Sequence, residues 1–242
     1  MIKDEKKLYV IGDKFKNLNN IEQVALFSDV MEMIQAGTLP SVLELISIEQ
    51  GVNEAQANNL KESLKKYNLN HIKVTSYFDA AARCANELSH KHQTQNTLIS
   101  MPEQVGEDKF ISKLLVDENC AELSDHVSAK HIQFIILIEA ARQMGNAVTQ
   151  KFYGNDQLIY LANEINPEFK GFVYPFETIM EYEVVEKKIR FGGNGKFLVN
   201  IKFKQYGKEL CAIKISFTSM ARNMMTLLED SELKTLVSQL NQ

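Results

Sequence analysis

Cysteine is scarce in this chain. Of 242 residues only Cys84, Cys120 and Cys211 are cysteines, odd in number, far apart and in no Cys-x-x-Cys arrangement. That excludes a disulfide framework or a zinc knuckle and leaves three small side chains to be buried. Positive charge is not in excess either. Lys and Arg number 27 against 31 Asp and Glu, a net charge of −4, and the basic residues are scattered, so nucleic acid is not an expected partner. No run of about 18 apolar residues occurs, and Met1 to Lys7 lack an apolar signal core; the expectation is a cytoplasmic protein with no membrane partner. Gly12 follows an apolar segment, yet no Gly-x-Gly-x-x-Gly accompanies it, so it reads as a turn residue rather than part of a nucleotide site. His90 and His92 have no third ligand close in sequence. They read as a solvated helix end, and neither metal nor cofactor is expected.

What is present is enough apolar material, 45% of residues, to build real cores, and a length that suits one large or two small domains. Two are expected, because the rhythm changes along the chain. Residues 1–90 alternate strand and helix patterns: Leu8–Ile11, helix Ile21–Ala36, Val42–Ile48, helix Asn53–Tyr67, Ile72–Thr75, then a connecting helix Asp79–His92. That β-α-β-α-β order predicts a small parallel three-stranded unit, which needs the rest of the chain or a partner to pack on. Gln93–Asn96 reads as the linker into residues 97–222. There Lys109–Val116 and Leu158–Ile165 read as edge strands and Phe176–Phe191 as a further strand. A long hairpin turns at Tyr206-Gly207-Lys208, with Val199, Ile201 and Phe203, then Ile213, Ile215 and Phe217, on one face. Residues 223–242 read as an amphipathic helix. Strands around one long helix predict an α+β, hot-dog architecture.

That helix carries the chemistry. Asp125-His126-Val127-Ser128-Ala129-Lys130-His131 leads into Ile132-Gln133-Phe134 and a helix of roughly twenty residues with no interior proline. At about 100° per residue, Glu139, Arg142, Gln143, Asn146 and Gln150 share one side, opposite Leu137, Ala140, Ala141, Met144 and Val148. A plain i,i+3 ion pair on a solvated face accounts for Glu139 and Arg142 equally well. Against it stand Ile132, Ile135 and Ile136, which fall on the Glu139 side and signal a cover over that end of the stripe. A covered carboxylate beside a guanidinium is a pairing used to tune catalytic acids and bases.

Asp125-His126-Val127-Ser128-x-x-His131-Ile132, followed by Leu137-Ile138-Glu139-Ala140-Ala141-Arg142-Gln143, resembles the hot-dog domain of the A-factor biosynthesis family, the AfsA-like γ-butyrolactone synthases. It is more distantly similar to hydroxyacyl-carrier-protein dehydratases. The resemblance is dense over these residues, loose over 97–222 and silent on 1–90. It implies an acyl thioester from acyl carrier protein or acyl-CoA, with its carbonyl at the helix N-terminus, and transfer of a β-ketoacyl group to a hydroxyl of a three-carbon phosphate. It implies Glu139 as general base, Arg142 orienting it or binding phosphate, His126 polarising the thioester, and His131, Phe134 and Gln143 around the substrate. One visible repeat implies a homodimer. Gln133-Phe134 stands where the family has Pro-Gly, which removes a close backbone approach and puts a ring where the acyl tunnel would open. A dehydratase or thioesterase, and a non-catalytic acyl-binding or regulatory module, remain the alternatives.

Overall fold

The computed structural model describes residues 6–77, 79, 81–125, 130–154, 158–190 and 194–240. Two sheets organise them. The first is wholly parallel, in the order β2-β1-β3-β4, from β1 (Lys7–Ile11), β2 (Val24–Leu26), β3 (Leu45–Ile48) and β4 (Lys73–Ser76). Helices α1 (Phe27–Ala36) and α2 (Glu54–Lys66) complete this unit. The fourth strand is a correction to the three expected. β2 is three buried residues running straight into α1, so its apolar run merges with the helical period that follows. α1 stops at Gly37, whose φ of 66° lets its amide and that of Thr38 reach back to Ile34 and Met33. α2 starts with a reciprocal capping box between Asn53 and Gln56.

Gly12 opens a turn, accepting from Phe15 N at 3.1 Å, but the turn, at φ −65°, is not what requires a glycine there. A Cβ there would lie 2.6 Å from the carbonyl carbon of Gly51, so the two glycines let the ends of β1 and β3 touch. The same end of the sheet is tied to the second half of the chain. Gly51 N–H donates to Val116 O (2.8 Å), and the Gln50 amide donates to Leu114 O (2.6 Å) and accepts from Val116 N (2.7 Å). Glu118 accepts from Asp13 N (3.0 Å) and Gln56 Nε2 (2.6 Å).

The second sheet is antiparallel, in the order β5-β6-β8-β9-β10-β7. Its strands are β5 (Glu103–Gly106), β6 (Lys109–Lys113), β7 (Leu158–Phe169), β8 (Ile179–Ile189), β9 (Gly195–Gln205) and β10 (Lys208–Ala221). β6 is therefore not an edge, because the short polar β5, which periodicity passes over, lies outside it. The β9–β10 hairpin turns through Tyr206 and Gly207, both at positive φ, the backbone that matches strand twist in a two-residue turn. Val199, Ile201, Phe203, Ile213, Ile215 and Phe217 face inward. Against them lies α5 (Phe134–Phe152), which buries Ile136, Leu137, Ala140, Ala141, Met144 and Val148 in the same cluster. A large aliphatic or aromatic side chain taken fully out of water contributes about 1.5–3 kcal/mol, so this helix–sheet contact is the main stabilising feature of a hot-dog fold.

Two further expectations are corrected. The helix expected over Asp79–His92 shrinks to a single turn, α3 (Asn86–Ser89), because residues 82–84 are extended and bonded to residues 99–101: Arg83 bridges Ser100, and Cys84 N donates to Ile99 O. The terminal helix α6 (Arg222–Leu240) forms but buries nothing. At about 100° per residue, Met224, Met225, Leu227 and Leu228 point roughly opposite to Leu233, Leu236, Val237 and Leu240, so it has no single apolar face. All three cysteines are free and buried.

Candidate functional site

The residues singled out from the sequence fall in two places on α5. His126 lies outside the described residues. The first place is the helix N-terminus. Ile132 enters the helix with its amide on Val173 O (2.7 Å), and Gln133 takes the N-cap position without capping anything. Among the described residues the amides of Phe134 and Ile135 have no hydrogen-bond partner, so two orphan donors point out of the helix end. Beside this helix end is an apolar cavity of about 250 Å³ lined by His131, Gln133, Phe134, Leu137, Phe169 and Phe172, with Ile132, Gly171 and Val173. Phe134 is 61% exposed at its mouth and meets Phe169 edge-on with centroids 6.2 Å apart; His131 lies 4.8 Å from Phe172.

The second place is the polar stripe. Arg142 grips Glu139 as a fork, Nε to Oε2 at 2.7 Å and Nη2 to Oε1 at 2.8 Å. Lys91 reaches the same carboxylate at 2.7 Å and Glu122 at 3.4 Å. Gln143 donates both amide hydrogens, to Glu139 Oε1 (3.0 Å) and Asn96 O (2.9 Å), and accepts from Leu98 N (2.8 Å). The expected cover is thus real, and it is the chain itself. α3 and residues 90–98 lie over the stripe, and α4 (Ala121–Ser124) brings Glu122. Ile132 and Ile136 are buried as that cover requires, whereas Ile135 is 44% exposed.

Burial alone would raise the Glu139 carboxyl, but hydrogen bonds from Arg142 and Lys91 and the Arg142 charge bring it down to about 2. The Arg142 guanidinium is pushed further up, first by its hydrogen bond to Glu139. A carboxylate so held is ionised at neutral pH yet a weak proton acceptor, and Gln143, fully buried, has no amide hydrogen left for a ligand. Lys91 carries no local signal of this role, because it is remote in the chain and sits in the segment read as a solvated helix end.

The two places do not meet within one chain. At about 100° per residue, Leu137 on the cavity wall and Glu139 in the stripe point roughly opposite ways. His131, Phe134 and Gln133 belong to the cavity; Glu139, Arg142 and Gln143 belong to the clamp.

Among solved structures the chain is similar to a mutant thioesterase from Pseudomonas aeruginosa, at 13% identity and a TM-score of 0.42 over 55% of this chain and 89% of that one. It is similar to a thioesterase from Haemophilus influenzae, at 13% identity and a TM-score of 0.39 over 51% and 78%. A conserved protein from Pseudomonas aeruginosa gives 15% identity and 0.37 over 49% and 86%. No curated protein matches the chain. The family model described as the A-factor biosynthesis hotdog domain, AfsA, matches residues 75–218. That span runs from within β4 to Thr218 in β10 and takes in all but the last residues of the antiparallel sheet, with α5, the cavity and the clamp, and the chain belongs to this family.

Proposed function

We propose that the protein processes acyl thioesters at the N-terminal end of α5. The observation that carries this reading is an aromatic-walled cavity beside a helix end whose first amides are unpaired. The cavity, about eight times the roughly 30 Å³ a water occupies in the liquid, suits a short acyl group, and the Phe134 and Ile135 amides suit the thioester carbonyl. Membership of the A-factor biosynthesis family favours acyl transfer to a small hydroxylated phosphate. In that reaction the acceptor oxygen bonds to the thioester carbon, the C–S bond breaks, and the hydroxyl proton passes through a base to the departing thiolate. His131 is the base in reach of the cavity, and His126, five residues earlier in the sequence, is assigned the polarising role that the family resemblance implies. Glu139 and Arg142 act as positioning residues, and Gln143 with them.

Two chains complete the unit in this reading. β7 is a twelve-residue edge strand, mostly exposed, and pairing it with a second copy removes an open edge. The donor is an acyl carrier protein or coenzyme A thioester. The exposed ring of Phe134 at the cavity mouth favours a second reading, an acyl-binding module that turns nothing over.

The test is thiol release from 3-oxohexanoyl-CoA with dihydroxyacetone phosphate, alongside calorimetric titration with hexanoyl-CoA and with coenzyme A alone. Acceptor-dependent thiol release is the expected result. Binding of the acyl thioester without turnover selects the module, and no preference for hexanoyl-CoA over coenzyme A sinks both readings.

A further inference from the structure

α6 lies outside the span that the family model matches, and it buries none of its residues against the rest of the chain. Leu227, Leu233, Leu236 and Leu240 are 52–76% exposed. An open groove of about 750 Å³ runs along its first turns, lined by Ala221, Arg222, Asn223, Thr226 and Leu227. A lone helix of this length is marginal in water, so these apolar side chains call for a surface to pack on. Leu227 and the later leucines face roughly opposite ways, so one flat surface cannot cover them all. A lipid surface does not fit on that ground, nor with Glu229, Asp230 and Glu232 in the middle of the helix, since helices that lie in lipid carry a single apolar face and a basic polar one.

The fold offers that surface in a second copy. α6 starts directly after Ala221, which pairs with Leu158 at the first residue of β7, the long open edge of the sheet. The cavity lies at the other end of β7, where Phe169 is part of its wall. The twelve residues of β7 hold those ends about 36 Å apart, whereas the 19 residues of α6 span about 28 Å, so the helix ends short of its own chain's cavity. Two-fold antiparallel pairing of β7 between copies reverses the relation. Leu158 of each copy then lies beside Phe169 of the other, and α6 begins two strand spacings, about 10 Å, from the other copy's cavity wall. Such a two-fold keeps both copies of α5 on one face of the joined sheet. α6 leaves on that face, because the Arg222 charge bears on His90, which meets the Tyr160 ring in the cover of α5. The rim it reaches carries three exposed rings, Phe134, Phe169 and Phe172.

We propose that α6 of each copy crosses the β7 seam and packs its leucines on the Phe134, Phe169 and Phe172 rim of the other copy, so that every cavity is walled in part by the partner chain. This rests on the β7-paired dimer of the reading above and goes beyond it, since the partner then contributes to the site itself.

The experiment co-expresses two full-length variants, Leu236→Cys and Phe172→Cys, and treats the product with a short bismaleimide; the three native cysteines are buried and do not compete. A cross-link between the two chains is the expected result. Leu236→Cys with Val105→Cys, on the far edge strand β5, should give none. Leu233→Glu combined with Leu236→Glu should raise the dimer dissociation constant at least about tenfold by analytical ultracentrifugation, and because both side chains are exposed within one chain the double substitution puts no core at risk. A wild type that is monomeric at micromolar concentration overturns the β7 dimer and this inference together. A dimer that gives no such cross-link, or as much with Val105→Cys, or whose dissociation is unmoved by the double substitution, overturns this inference and leaves that dimer standing. Binding of the wild type to phosphatidylglycerol vesicles, lost in the double variant, overturns it as well and assigns α6 to lipid. None of these outcomes depends on hexanoyl-CoA binding, which tests the acyl reading separately.

Discussion

The two flanks of α5 are made from the same stretch of chain and are finished in opposite ways. On the Glu139 side the central groups are paired, two cations on one carboxylate and a buried amide with both hydrogens donated, and the unpaired atoms, Glu122 Oε2 and Gln150 Oε1, are acceptors at its margin. At the cavity end, the Phe134 and Ile135 backbone amides are left without partners among the described residues, and the Gln133 nitrogen is buried unpaired. Saturated polar networks rigidify a fold; unsatisfied donors beside a cavity await a ligand. The charged residues that look most catalytic in the sequence therefore hold the helix to its cover, and the plainer residues before it face the space a substrate can enter.

The sharpest break of this comparison is Gln143→Leu. It leaves the buried Leu98 amide and the part-buried Asn96 carbonyl unpaired and removes a donor from Glu139. Each abandoned group costs about 1–3 kcal/mol, so a total loss of about 3–4 kcal/mol is expected by urea unfolding. A loss below about 1 kcal/mol would mean that Gln143 is not the clamp it resembles.

Glu139→Gln comes next. Glu139 has a folded pKa near 2 against an ordinary 4.5, so its stabilising effect is complete above pH 4.5 and is lost as pH falls from there to 2. After discounting for partial exposure it is worth about 2–3 kcal/mol at neutral pH. Burial raises the Glu49 and Glu118 carboxyls, which act in the opposite direction. The difference between wild type and Glu139→Gln isolates the one group, and it should shrink towards zero across that window. Thiol release by Glu139→Gln, measured well below its midpoint, should stay within about threefold of wild type. A general base would instead lose about 10²–10⁴.

How much of this was legible depends on range. The α5 stripe, the β9–β10 hairpin and its turn follow from period and local turn chemistry, which sequence records directly. β2 and the 82–84 segment do not, because three buried residues before a helix carry no period of their own and an extended run of Ala82-Arg83-Cys84 is dictated by residues 99–101. The same holds for the site. Glu139 with Arg142 is a local pair and visible; Lys91, which makes the pair a clamp, is joined to it only by the fold. Gln133 was visible as a departure from Pro-Gly, but only burial shows that its amide has no partner.

Phe134→Gly should have the smallest effect on stability and is the most direct probe of the cavity flank. The ring is 61% exposed, so little apolar burial is lost, and a glycine at the start of a helix costs about 1 kcal/mol or less, roughly 2–4 °C in midpoint for a chain of this size. Opening the mouth should raise thiol release, since the ring no longer stands between solvent and the helix-end amides. Combined with Glu139→Gln, the stability changes should add to within about 0.5 kcal/mol, because the two residues lie on opposite sides of the helix and share no partner. A coupling larger than about 1 kcal/mol would show that clamp and cavity form one unit, and would return Glu139 to the reacting centre.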